Sequence, residues 1–114
     1  MLDWALSEGA TIVTGGQAPE GFEAGNFYQP TIITDVKADS QIARNEIFGP
    51  DLPVVKVRDL DEALEIANSS KYGLTSSVYT ENLILAMKAS RELLYGETYV
   101  NRENFEAMRG FHGG

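Results

Sequence analysis

The chain has no cysteine, so it forms no disulfide, offers no thiolate to zinc and cannot itself supply a thiol nucleophile. Its one histidine, His112, is too little for an imidazole-based metal centre. No apolar run approaches the roughly 20 residues needed to span a bilayer, and the opening Met1-Leu2-Asp3-Trp4 lacks the basic-then-apolar layout of a signal peptide. A soluble, cytoplasmic protein is the expectation. Positive charge is also scarce: 9 basic residues against 17 acidic ones leave a net charge of -8. That excess repels phosphate backbones and anionic lipid and offers no counterion release, so neither nucleic acid nor membrane is an expected partner.

What is present is a composition that can build a core. Of 114 residues 43% are hydrophobic, the length and content of one modest domain, with a single cooperative unit as the default. Leu2, Ala5 and Leu6 recur at helical spacing before Glu8-Gly9, which reads as the tail of a longer helix. Thr11 to Thr14 is a short β-branched run, followed by a loop from Gly15 to Gly25 with four glycines and Pro19. Those glycines match neither the G-x-G-x-x-G nor the G-x-x-x-x-G-K-[S/T] spacing and no helix follows them, so the loop reads as a solvent-facing turn rather than a phosphate cradle.

From Pro30 the pattern becomes regular. Pro30 to Val36 reads as a strand, Asp39 to Glu46 as a polar stretch, and Pro53 to Val57 as an apolar strand. Asp59 and Glu62 have capping-box spacing ahead of a helix carrying Ala63, Leu64, Ile66 and Ala67, which Asn68-Ser69-Ser70 and Tyr72-Gly73 stop. Leu74 to Tyr79 is the next strand. A second helix follows Thr80, with Leu83, Ala86, Met87, Ser90 and Leu94 on one stripe and a stop at Tyr95-Gly96; Glu97 to Asn101 is a final strand. Strands separated by helices of this length imply an α/β fold, a βαβαβ unit with parallel strands. The ending Gly110-Phe111-His112-Gly113-Gly114 has no cap or strand to finish on, and reads as cut.

Read in order, Gly15-Gly16, the Phe27 to Thr31 run, Glu46-Ile47-Phe48-Gly49-Pro50, Pro53-Val54, Glu62-Ala63, Ala67-Asn68, Tyr72-Gly73-Leu74 and Val100-Asn101 resemble the C-terminal part of the catalytic domain of NAD(P)-dependent aldehyde dehydrogenases. The run from Gly96 to Met108 and Gly110-Phe111-His112 is similar to the lactaldehyde and glycolaldehyde members. The resemblance covers residues 1–114 as a partial catalytic domain, truncated at both ends. In that family a cysteine thiolate attacks the aldehyde, hydride passes to the nicotinamide, and glutamate-activated water releases the acid. The resemblance puts the cysteine, the general-base glutamate, the oxyanion-hole asparagine and the dinucleotide-binding domain outside this segment, so the isolated chain is expected to be inactive and to bind NAD or NADP poorly.

The resemblance does carry over binding residues. Glu46 matches a glutamate that accepts hydrogen bonds from the nicotinamide-ribose hydroxyls, and Phe48 an aromatic beside the nicotinamide ring. Glu106 and His112 match positions lining the pocket for a small hydroxyaldehyde, where polar groups that pair with a substrate hydroxyl discriminate efficiently. Asn101 is expected as a turn-former and Phe105 as packing near the substrate funnel. Two residues depart from the family pattern: Asn45, where a carboxylate is common, and Asp51, where a small apolar residue is usual. Burying Asp51 unpaired would be costly, so it is expected to face solvent or to be paired. The parent is expected to be a homo-oligomer, and the isolated piece to self-associate through open strand edges and apolar faces. The competing readings are a stand-alone module that docks on dehydrogenase subunits, and a small enzyme using Glu103 and Glu106 alone, which lacks a partner base or metal ligand.

Overall fold

The computed structural model describes residues 2–22 and 24–105. The chain divides into two compact units, Met1–Lys56 and Val57–Gly114. Among the described residues no helix is long and apolar enough to cross a membrane.

The first unit runs α1 (Leu2–Ser7), β1 (Thr11–Thr14), β2 (Thr31–Thr34), α2 (Gln41–Arg44) and β3 (Asp51–Pro53). Its sheet has the order β1-β2-β3, with β1 antiparallel and β3 parallel to the central β2. β2 alternates as a covered strand should: Thr31 and Ile33 are buried and Ile32 is exposed. Ala5, Ile33, Val36 and Ile42 form the core, with Leu2, Ala10, Ala43, Ile47 and Val55 packed around it.

The Gly15-Gly16 pair is structural. Gly15 sits at φ +76, and a Cβ there would overlap Pro30 O and stand 2.6 Å from Thr31 Oγ1. The main-chain N–H of Gly16 donates to Thr31 Oγ1 at 2.8 Å, and that hydroxyl donates to Gln29 O at 2.8 Å. The close approach closes the β1–β2 connection just beyond the register shift between Ile12 and Thr14.

Two expectations are corrected in this unit. The strand is Asp51–Pro53 rather than Pro53 to Val57. Its partner decides this: Ile33 pairs with Pro53 and accepts from the Val54 N–H at 2.8 Å, and two residues later Asp35 adopts φ +56, which turns β2 out of the ladder before Val55 to Val57 can extend it. The polar stretch before it contains α2, a single turn that folds because Ile42 is buried in the core.

The second unit runs α3 (Leu60–Asn68), β4 (Thr75–Val78), α4 (Leu83–Glu92) and β5 (Glu97–Val100). β4 and β5 are parallel, in register from Thr75↔Glu97 to Val78↔Val100. The α/β class and the parallel pairing hold, but β3 is hydrogen-bonded to β2 and β4 to β5 in separate sheets. Tyr72-Gly73 matters because a Cβ on Gly73 would lie 2.8 Å from Leu94 O, and Gly73 O accepts from the Gly96 N–H at 2.8 Å. Asn68 joins the two helix ends: its amide donates to Glu92 O at 2.7 Å and accepts from the Leu94 N–H at 2.9 Å.

Asp59 caps α3 as the spacing implies, but the Glu62 carboxylate reaches back one residue further than a capping box, to Arg58. Asp59 Oδ1 accepts from the Glu62 N–H at 2.9 Å, and Glu62 Oε2 accepts from the Arg58 N–H at 2.6 Å and from Arg58 Nε at 3.0 Å. The Arg58 main-chain N–H, then its guanidinium, hold the Glu62 carboxyl below its ordinary value of 4.5. A lowered folded-state value means stability that is complete above the unfolded value and is lost as pH falls through the folded one. The Arg58 amide proton shift is therefore expected to titrate with a midpoint below 4.5, and Glu62→Gln to remove that titration. The pair is exposed and added salt weakens it.

On α4 the buried residues are Ala86, which belongs to the expected stripe, and Ala89, which does not; Leu83 and Met87 of that stripe are exposed, as is Leu94 beyond the helix end. Small side chains let the helix lie close, and the bulky ones are left facing outward. Asn82 caps the helix, its Oδ1 accepting from the N–H groups of Ile84 and Leu85 at 2.9 and 3.2 Å.

Candidate functional site

The segment from Asn45 to Pro50 links α2 to β3 and is pinned at both ends. Asn45 leaves the helix in an extended conformation, its main-chain N–H and its side-chain amide both donating to Gln41 O at 3.1 Å. At the other end Pro50 O accepts from the Thr31 N–H at 2.8 Å. Between them Ile47 packs against the core, which leaves its neighbours Glu46 and Phe48 exposed.

Phe48 is 93% exposed and has φ +53. An L-residue in the left-handed region costs roughly 1–2 kcal/mol, and burial of the ring does not offset it here. Strain of this kind is sustained by the surroundings and concentrates at ligand sites. The surroundings in this case are the anchored Ile47 and the Thr31–Pro50 hydrogen bond.

Glu46 and Phe48 line one cleft of about 340 Å³ with Ile42, Asn45, Gly49 and Asp51. Phe48, Gly49 and Asp51 also line a second, of about 580 Å³, with Leu2, Asp3, Tyr28 and Pro50. Neither lining contains lysine or arginine. A phosphate would find no countercharge there, whereas a hydroxyl-rich ligand finds a carboxylate acceptor and a planar ring finds an exposed aromatic face. These residues fit the nicotinamide-ribose end of a dinucleotide and not its pyrophosphate.

Asp51 departs from expectation. Its side chain is half-buried, and Oδ1 is buried with no hydrogen-bond partner among the described residues. That one oxygen is neither solvent-facing nor paired, although the residue as a whole stays partly exposed on both clefts; an orphaned buried acceptor of this kind costs about 1–3 kcal/mol. The pairing of β3 with β2 through Thr31↔Asp51 places it there, and the sequence holds no local sign of that pairing.

At the carboxyl end of the second unit, Asn101 adopts φ +54. Its Oδ1 accepts from the Thr80 N–H at 2.9 Å, its Nδ2 donates to Thr80 O at 3.0 Å, and its main-chain N–H donates to Val78 O at 2.8 Å. It is a turn residue that ties the ends of β4 and β5 together. Phe105 is 71% exposed. Glu106 and His112 lie outside the described residues. Sequence reasoning did not single out Ser77, Thr75 and Asn104, which the fold brings together: Asn104 hydrogen-bonds Ser77 and, through Nδ2, Thr75 Oγ1 at 3.1 Å.

Comparison with known proteins gives this geometry its setting. The chain is 54% identical over 110 residues to lactaldehyde dehydrogenase of Escherichia coli, covering 96% of this chain and 22% of that protein. The crystal structure of that enzyme superposes with a TM-score of 0.90 over 97% of this chain and 23% of its own. D-glyceraldehyde dehydrogenase (NADP(+)) of Picrophilus torridus is 44% identical over 116 residues, 99% of this chain and 24% of that protein. A structure of Staphylococcus aureus betaine aldehyde dehydrogenase in complex with NAD+ matches at 33% identity and a TM-score of 0.86, over 92% of this chain and 21% of its own. The chain thus spans under a quarter of the length of these relatives. The family profile for the aldehyde dehydrogenase family matches residues 1–114, and the chain belongs to that family.

Proposed function

We propose that this chain forms the nicotinamide-side wall and part of the substrate pocket of an NAD- or NADP-dependent dehydrogenase that oxidises a small hydroxyaldehyde, such as lactaldehyde, to the acid. The observation that carries the reading is the exposed pair Glu46 and Phe48 on one cleft, with Phe48 held in a left-handed conformation. The cofactor, when bound, accepts the hydride. Glu46 accepts hydrogen bonds from the ribose hydroxyls, Phe48 gives the nicotinamide ring an apolar face, and Glu106 and His112 hydrogen-bond the substrate hydroxyl. The similarity to lactaldehyde and glyceraldehyde dehydrogenases supports a short hydroxylated substrate.

With no cysteine in the chain, the thiolate that captures the aldehyde comes from elsewhere in the parent. The 114-residue chain alone is expected to reduce neither NAD+ nor NADP+ with lactaldehyde. Its exposed Leu83, Ile84 and Leu94 favour self-association of the isolated chain and, in the parent, burial against other parts of a homo-oligomer. In the complete protein, Glu46→Gln keeps the shape but removes the charged acceptor. A hydrogen bond to a charged group contributes about 1.5–3 kcal/mol, so kcat/KM for the coenzyme is expected to fall roughly ten- to a hundredfold. An unchanged value removes Glu46 from the cofactor site, and turnover by the isolated chain overturns the division of labour.

A further inference from the structure

Phe48 lines two clefts, and Asp51 is the carboxylate common to both. Glu46 joins it in the first and Asp3 in the second, while among the described residues no lysine or arginine lines either. The sheet fixes its position. Pairing with Thr31 sets Asp51 at the start of β3, and its Oδ2 stands 3.4 Å from where a Cβ on Gly49, the neighbour of Phe48, would lie. The other oxygen, Oδ1, is shut away from solvent with no hydrogen-bond donor among the described residues. A half-buried carboxylate acts on its surroundings through less water than an exposed one, so its field is screened less. Glu46 and Asp3 are exposed, and water and salt blunt their charges.

We propose that the Asp51 carboxylate makes this site prefer the oxidised coenzyme, whose nicotinamide ring carries a positive charge, over the reduced coenzyme, whose ring is neutral. The inference rests on the proposed function. It adds to that reading a residue that sets the redox-state preference of the site through space, without touching the ring. The contacts given to Glu46 and Phe48 are open to both forms, since both present the same ribose hydroxyls and a planar ring. A nearby carboxylate separates them, because its attraction for the ring vanishes when the ring takes up hydride. The small apolar residue that the family resemblance leads one to expect at this position carries no charge and supplies no such preference. Favouring the oxidised form helps the substrate coenzyme to bind and the product coenzyme to leave.

The test uses the complete dehydrogenase that carries this segment and measures coenzyme binding without aldehyde. Kd is read by fluorescence titration for NAD+ and NADH and for NADP+ and NADPH, and the pair bound more tightly is compared. Asp51→Asn keeps the shape and removes the charge. Its Kd for the oxidised form is expected to rise roughly five- to tenfold while that for the reduced form stays within about twofold. Asp51→Val is expected to shift the ratio of the two Kd values in the same direction and serves in its place if the asparagine variant does not fold. Asp51→Glu, which retains the charge, is expected to keep the oxidised form favoured. A ratio that stays at the wild-type value in the uncharged variants overturns the preference and leaves the function reading intact, and so does an equal weakening of both forms. A wild-type enzyme that binds neither form of either coenzyme overturns the function reading, and the preference with it.

Discussion

Gly15→Ala is expected to lower the stability of the first unit by roughly 3 kcal/mol. Two costs add. The residue is held at φ +76, where a Cβ carries a penalty of about 1–2 kcal/mol. The methyl would also overlap Pro30 O and crowd Thr31 Oγ1. Neither can retreat, because the Thr31 N–H is bonded to Pro50 O at 2.8 Å and its hydroxyl joins Gly16 to Gln29. Relieving the overlap means giving up one or two of these hydrogen bonds at about 1 kcal/mol each. Gly21→Ala is the control: its φ is +80, yet nothing lies within 4 Å of the new atom, so only the dihedral cost of about 1–2 kcal/mol remains. Urea midpoints, with amide exchange at Gly16 and Thr31, separate the two. Equal losses for both variants would refute the steric part of the argument.

Phe48→Gly is expected to act in opposite directions on stability and function. Glycine relieves a left-handed conformation worth about 1–2 kcal/mol, and its greater freedom in the unfolded chain returns about 0.5–1 kcal/mol of that. The ring is 93% exposed, so little packing is lost, and the variant should come out as stable as the wild type or more stable by up to about 1.5 kcal/mol. On the proposed reading, the same change in the complete protein removes an apolar face for the nicotinamide, and kcat/KM for the coenzyme is expected to fall at least tenfold. Strain retained against stability is the mark of a residue kept for its position. A clear destabilisation would show that the ring packs, and unchanged kinetics would show that the ring serves no ligand.

The legible parts of the fold are those set by residues close together in the chain. α3 begins where Asp59 and Glu62 place it because a cap is satisfied within three residues. Strand β1 occupies Thr11–Thr14, the span its β-branched run marks out. The Asn45 to Pro50 segment is recognisable as a family motif because it is contiguous, and its exposed Glu46 and Phe48 alternate about one anchored residue.

The other features depend on partners distant in sequence. The span of β3 is decided by Asp35, which turns β2 away and ends the ladder at Pro53. The inward face of α4 is decided by how closely the helix lies, which favours the small Ala86 and Ala89 over Leu83 and Met87. The orphaned oxygen of Asp51 follows from its pairing with Thr31, and the Ser77–Asn104 contact joins residues 27 apart. Composition and motif order established the family resemblance and the absence of any thiol from these residues. Tertiary structure alone decided which side chains are strained, orphaned or paired, because those states arise from atoms that meet only when separated segments pack.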